Sequence, residues 1–146
     1  MPFALSAAMR IAAHVWPAPY TVVGVVLGLL VVALRGQVRV QGRTLEFGGG
    51  LGGRLLSHLP APFSFSAITL GHVVIGLDHP TLAAVRAHEQ VHVRQYERWG
   101  PLFIPAYLLC SLAELLRGRR PYRDNYFERQ AYEEADNRRG ARPAWH

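Results

Sequence analysis

The sequence predicts an α+β protein in which an N-terminal membrane helix precedes one small domain. Three features predict it: an uncharged apolar run, then short segments of alternating apolar residues, then a well-delimited polar helix. With 146 residues, the chain has room for a single modest core. We therefore expect a membrane anchor at residues 1–35, a domain at 36–136 and a disordered tail at 137–146.

Composition narrows the predicted partners. The formal net charge is +6, and every basic residue is arginine. A basic chain can bind nucleic acid or anionic lipid, but no basic stripe interleaved with aromatic residues favours nucleic acid. The arginines adjoin apolar segments, so membrane lipid is the predicted partner and nucleic acid is not. Cys110 is the single cysteine, which excludes an intrachain disulfide.

The run Tyr20–Leu34 carries no charge and predicts the membrane helix. A span needs about 20 apolar residues, so the run must extend back past Pro19 and Pro17. A single span from about His14 to Leu34 is the preferred interpretation, with a buried or interfacial helix as the alternative. One arginine precedes this span and several follow it, which by the positive-inside rule places the C-terminal domain in the cytoplasm.

Two β-segments that form a short antiparallel sheet are expected after the span. Alternation in Gln37–Phe47 predicts a short antiparallel hairpin, and Ser64–Leu77 is rich in β-branched residues and predicts a strand. Between them, Gly48–Gly53 formally matches the dinucleotide pattern GxGxxG. Too few residues follow before Pro60 to form the helix that such a site requires, so a flexible loop is predicted there.

Three helices are expected in the rest of the chain. Asp78 or His79 caps the first, Pro80 lies in its first turn, and it ends near Trp99 before a Gly-Pro pair. The apolar stretch Leu102–Leu116 is too short to span a membrane comfortably and is expected in the core or at the membrane interface. The last helix covers about 125–136.

The first of these helices carries His88, Glu89 and His92 in an HExxH pattern. Residues four apart lie on one helix face, so both imidazoles can bind one zinc ion. Glu89 is offset by about 100° and borders the metal, where it can accept a proton from an activated water. Because no HxxGxxH continuation follows, the third ligand is expected to be a downstream carboxylate.

Glu128, early in the last helix, is the preferred third ligand. The alternative is a capping box, in which Glu128 and Asn125 satisfy each other's backbone donors. Glu133 and Glu134 are reserve ligands. The remaining downstream acids are Glu97, which turns away from the ligand face, Glu114 in the apolar stretch, and Asp124 and Asp136, either of which could instead orient a ligating imidazole.

HExxH followed by a glutamate on a separate helix resembles the gluzincin clan of zinc peptidases, and its compact members, the minigluzincins, are similar in size. The block DNYFERQAY also resembles the NPFExxAY block of uncharacterised bacterial membrane proteins that carry HExxH, with Tyr126 at the usual proline position. The resemblance covers about residues 64–136. It implies a zincin-like domain with His88, His92 and Glu128 as zinc ligands and Glu89 as general base.

The resemblance also implies a binding mode and a function. Members of the clan bind a peptide as an added strand, for which Ala67–Ile75 is the candidate edge. His72, Tyr126 and Tyr132 are possible accessory residues, the tyrosines as oxyanion donors. The expected function is a membrane-associated zinc metallopeptidase that cleaves membrane or membrane-proximal proteins. The alternative is an inactive zinc-binding sensor or scaffold.

Overall fold

The computed structural model describes residues 2–60 and 65–140 and has the predicted α+β class. The predicted tail from 141 onward lies outside the described residues. A 3-10 turn over Gly100–Leu102 joins the fourth and fifth helices. The elements in chain order are α1 (Pro2–Val15), α2 (Ala18–Ala33), β1 (Gln37–Gln41), β2 (Thr44–Gly48), α3 (Gly50–Ser57), β3 (Ala67–Leu70), β4 (Val73–Gly76), α4 (His79–Trp99), α5 (Phe103–Leu116) and α6 (Tyr126–Gly140).

The four strands form one mixed sheet in the order β1-β2-β4-β3. The β1–β2 hairpin is antiparallel as expected. Strands β3 and β4 form a second antiparallel hairpin, but β2 and β4 pair in parallel, so the sheet is mixed and the prediction of an antiparallel sheet is wrong. The predicted strand Ser64–Leu77 is also two strands, since the chain reverses at Gly71, whose φ is 62°. Strand β3 is left at the edge of the sheet.

The predicted span His14–Leu34 is interrupted. Helix α2 begins only at Ala18, and α1 and α2 meet at an angle of 57°. Pro17 lies at this break, where a proline removes a helical hydrogen bond and clashes with the preceding turn. The two helices satisfy the length and hydropathy required of a span only when they are counted together.

Helix α2 packs closely on one face of the sheet through a notch of small residues. A Cβ on Gly24 would lie 2.7 Å from that of Val73, and one on Gly28 would lie 2.6 Å from the Phe47 ring. Val31 completes this face within a core cluster shared with Phe47. Helix α4 covers the opposite face of the sheet, where Leu82 and other α4 side chains form a second cluster.

The glycine-rich segment is not the predicted loop, because α3 starts at Gly50. Its glycines allow close approach rather than flexibility, since a Cβ on Gly53 would collide with the carbonyl of Leu77.

Helix α4 has the predicted bounds. The Asp78 side chain accepts a hydrogen bond from the Thr81 amide as N-cap, and Gly100 ends the helix. The continuous helical run His79–Leu116 is long and apolar enough to cross a membrane by length and composition. Helix α6 packs along α4 and continues to Gly140, beyond the predicted end at Asp136.

Candidate metal centre

His88 and His92 face the same side of α4, as their spacing predicts. Their Nε2 atoms lie 3.1 Å apart, and both side chains are buried. The rings are nearly perpendicular, with centroids 4.8 Å apart. The two Nε2 atoms therefore point toward one position, and the two rings do not stack.

Glu128 of α6 reaches the same point. One carboxylate oxygen lies 3.1 Å from His88 Nε2, and the other lies 3.3 Å from His92 Nε2. The Tyr107 hydroxyl donates to Oε1 at 2.7 Å. Burial opposes ionisation of Glu128, but its contacts with the two histidines and Tyr107 outweigh burial and hold its pKa at about 2. The carboxylate therefore carries a negative charge at neutral pH.

Gln95 determines which nitrogen of His92 can act as a ligand. Its amide NH2 group donates to the Phe127 carbonyl and to the Gln130 side chain, so its Oε1 is left as an acceptor. This oxygen lies 2.8 Å from His92 Nδ1, which must carry the proton. In neutral His92, Nε2 then presents a lone pair to the carboxylate of Glu128. A cation between these two acceptors would satisfy both.

The buried acids divide into two kinds. Glu46 and Glu114 each contact at least one arginine, at 2.7–3.3 Å. Glu89 and Glu128 are also buried but make no arginine contact among the described residues. Since an isolated buried charge is costly, the two acids beside the histidines lack the neutralising partner that the others have.

These donors fit a metal ion. One ligand atom each from His88, His92 and Glu128 lie within 4.8 Å of one another, and all three residues are buried. Two imidazoles and one carboxylate match the donor types of sites for divalent transition metals. The group could therefore hold a metal ion.

Glu89 lies beside this group and is held by the edge strand. The Thr69 hydroxyl donates to Glu89 Oε2 at 2.6 Å, and both residues are buried. Among the described residues no hydrogen bond reaches the second oxygen, Oε1, and the Glu89 residue lines the adjoining cavity. A carboxylate fixed through one oxygen can accept a proton on the other.

A cavity of about 200 Å³ adjoins the centre. Its lining includes Glu89 and His92 of α4, together with residues of β3 and of the start of α5. Apart from the metal group, Glu89 and Thr69, the lining side chains are apolar or aromatic. They are Phe65, Ala67, Ile68, Leu70, Tyr96, Phe103, Ile104, Tyr107 and Tyr122. An extended chain placed in this cavity would run beside the free edge of β3.

The structure brings only one predicted accessory residue to the centre. The Tyr132 ring lies 4.5 Å from that of His88. His72 instead pairs with Glu97 at 2.9 Å and stacks on His14, and Tyr126 is exposed on the outer side of α6. In the described part of the chain, no contact joins either residue to His88, His92 or Glu128, so their accessory roles stay predictions.

The competing third ligands point away from the centre. Asn125 accepts from the Phe127 amide, while the Glu128 carboxylate turns to the histidines, so no capping box forms. Glu133 and Asp136 are exposed on α6 and do not belong to the group of His88, His92 and Glu128. A basic side chain pairs with each of the acids Glu97, Glu114, Asp124 and Glu134.

Sequence reasoning missed four residues at the centre: Thr69, Gln95, Tyr107 and Tyr122. Gln95 alone carried a local signal, because it lies one turn after His92 on α4. The others reach the site through packing of β3, α5 and the segment before α6, and no sequence spacing relates them to HExxH.

Comparison of the chain with protein-family models, curated proteins and solved structures found no match.

Proposed function

We propose that the protein is a membrane-associated zinc metallopeptidase with a zincin-like domain of gluzincin type. The observation that carries this proposal is the buried convergence of His88, His92 and Glu128 beside Glu89, an acid with no arginine partner among the described residues. Zinc is the proposed metal because two histidines and a carboxylate form a known catalytic zinc set.

His88, His92 and Glu128 would hold the ion, and Gln95 would keep His92 in the ligating tautomer. Zinc in such a site lowers the pKa of a water molecule to about 7 and polarises a carbonyl. Residues of the chain would carry out proton transfer and stabilise the oxyanion.

Glu89 is the proposed general base. Oε1 accepts a proton from the attacking water and later gives it to the leaving amine, while Thr69 holds Oε2. The lining phenol of Tyr122 and the nearby phenol of Tyr132 are candidates to donate a hydrogen bond to the developing oxyanion. Glu89 thus shuttles the proton that peptide hydrolysis requires.

The edge strand β3 is the proposed binding surface for the peptide. Its outer edge has no strand partner in the sheet, and its residues line the cavity beside the metal group. A peptide in extended conformation could hydrogen-bond to this edge and place its carbonyl over α4.

The membrane placement is part of the same proposal. Helix α2 together with α1, and the run ending in α5, have the apolar length that a bilayer requires. Four arginines follow α2, which favours a cytoplasmic domain; they are Arg35, Arg39, Arg43 and Arg54.

A green fluorescent protein fused to the C-terminus would fluoresce if the domain is cytoplasmic, whereas a periplasmic phosphatase fused there would stay inactive. The reverse result would contradict this orientation.

Glu89→Gln tests the chemistry. The variant should hydrolyse quenched fluorescent peptides at least about 100-fold more slowly than the wild type, because it lacks the general base. It should still bind one zinc per chain, because all three metal ligands remain. Glu133→Gln, at an exposed position on α6, is the matched control and should change neither. Zinc binding without hydrolysis in the wild type would favour the inactive sensor or scaffold, and no zinc binding would contradict both functions.

A further inference from the structure

Helix α5 exposes its apolar side chains and buries its polar ones, whereas a helix on the surface of a water-soluble domain does the opposite. Its outward stripe is made of leucines that are half to four-fifths exposed, namely Leu108, Leu109, Leu112, Leu115 and Leu116. They follow helical spacing, so they form one continuous face.

The inward face of α5 carries its polar groups. Tyr107 donates to Glu128, and the Ser111 hydroxyl accepts from Asn125. Glu114 is buried and pairs with Arg117 and Arg119. Polar side chains point to the protein and apolar ones away from it, which suits a hydrocarbon environment outside the helix.

Helix α2 repeats this arrangement. Gly24, Gly28 and Val31 face the sheet, while the outer face exposes valines and leucines. Small residues on the packed side and large apolar residues on the free side are typical of membrane helices. The starts of α2 and α5 adjoin, since the Tyr20 hydroxyl donates to the carbonyl of Pro101 at 2.9 Å.

Only 17% of the apolar window in the run that includes α5 is buried, so α5 is not an interior helix of the domain. Arginines lie just after this face, at positions 117, 119, 120 and 123. They outnumber their acidic partners Glu114 and Asp124. Such a cluster complements anionic lipid headgroups.

We propose that the leucine face of α5 contacts the acyl chains of an anionic phospholipid bilayer, so that the cleft receives polypeptide segments held at the membrane. At about 1.5 Å per residue, the 14 residues of α5 extend about 21 Å, less than the hydrocarbon thickness of about 30 Å. Helix α5 therefore enters the bilayer rather than crossing it.

The inner side of the same helix links this contact to the substrate. Phe103, Ile104 and Tyr107 of α5 line the cavity together with the residues of β3. With the outer face of α5 in lipid, a membrane-held segment reaches the edge of β3 without crossing the aqueous phase. This second half of the proposal rests on the proposed peptidase activity.

The lipid contact is tested without any assay of hydrolysis. The full chain is made with p-benzoylphenylalanine at Leu112 and reconstituted in vesicles of phosphatidylcholine with phosphatidylglycerol. Irradiation should give a protein adduct whose mass exceeds that of the protein by the mass of one phospholipid. The same probe at Glu133, exposed on α6, is the control and should give none.

Two results overturn the lipid contact. A covalent dimer from the Leu112 position would assign the leucine face to a second copy of this chain. No adduct at Leu112, in protein shown to be folded by its circular dichroism and to be in vesicles, would place the face in water.

The substrate class is tested with one peptide in two forms, with and without an acyl anchor at its N-terminus, in the same vesicles. The wild type should cleave the anchored form at least about tenfold faster than the free form. The Glu89→Gln variant should cleave neither form. Equal rates for the two forms would overturn the membrane-held substrate and leave the peptidase intact. Cleavage of neither form, with the lipid adduct present, would contradict the proposed function and leave the lipid contact standing.

Discussion

Two carboxylates packed against α4 are equally buried but differently partnered. Glu46 is 1% exposed and Glu128 is 2% exposed. Glu46 receives two parallel hydrogen bonds from Arg86, at 2.8 and 2.9 Å, so its charge is neutralised within the protein. Glu128 faces two imidazoles and a phenol instead.

The difference shows what each group does. The Glu46–Arg86 pair is complete and ties the sheet to α4, with a neighbouring hydrogen bond from Gln90 to Thr44 in support. Among the described residues, the group around Glu128 contains no arginine, so its carboxylate has no permanently charged partner. Burial alone therefore does not identify a site, whereas burial without a neutralising partner does.

The largest expected effect concerns metal removal. Zinc at about a thousandfold excess over its dissociation constant should stabilise the folded protein by about 4 kcal/mol, because only the folded state assembles the three ligands. Urea unfolding in detergent, with zinc or with a chelator, measures this difference. Glu128→Gln should abolish the zinc-dependent shift, and Glu46→Gln should retain it. A shift that survives in Glu128→Gln would remove Glu128 from the ligand set.

The second-largest expected effect concerns the Glu46–Arg86 pair and does not depend on zinc. Glu46→Gln should lower the free energy of unfolding by about 3 kcal/mol with or without zinc, since it leaves the Arg86 guanidinium without its partner. This value is at the lower end for buried pairs because the Arg86 side chain is 35% exposed. Chemical denaturation measures the loss, and Glu133→Gln should change stability by less than about 0.5 kcal/mol. Equal losses in the two variants would refute the structural role of the Glu46 pair.

The distinction between these two acids could not be predicted from sequence. HExxH selected His88 and His92, because helical periodicity places them together, and the position of Glu128 early in the last helix selected the third member of the group. The same periodicity does not indicate which acid has an arginine beside it. That depends on how β2 and α6 pack on α4, and so do the contacts of Thr69 and Tyr107.

The fold was predictable to a similar degree. Local signals gave the bounds of α4, since Asp78, Pro80 and Gly100 act within one turn of its ends. The parallel pairing of β2 with β4 involves residues far apart in sequence and has no local signature. The glycines of α3 misled the prediction because their function is close packing against Leu77, which only the tertiary structure reveals.

The two histidines allow a finer test, since only one of them has an orienting partner among the described residues. Gln95 binds His92 Nδ1, whereas His88 Nδ1 is buried without a partner in that part of the chain. Gln95→Leu should lower zinc affinity by about 10- to 100-fold, because His92 then loses the group that holds its tautomer. Competition with a chromophoric chelator measures the affinity.

Gln90→Leu is the matched control for this variant. Gln90 lies on α4 too, but it binds Thr44 beside the Glu46 pair and does not touch the centre. Its replacement should leave zinc affinity within about twofold. An equal loss in both variants would mean that the effect comes from destabilisation of α4 and not from the tautomer of His92.

The smallest expected effect concerns Tyr107. Its hydroxyl occupies Glu128 Oε1, and this leaves Oε2, which is 3.1 Å from His88 Nε2, as the freer oxygen. Tyr107→Phe removes one hydrogen bond to a charged group and should lower zinc affinity by about fivefold, equivalent to about 1 kcal/mol. The same chelator competition measures it, with Tyr126→Phe on the outer side of α6 as the control. A gain in affinity would mean that Tyr107 competes with the metal for Oε1, and Glu128 would then bind through both oxygens once the phenol is gone.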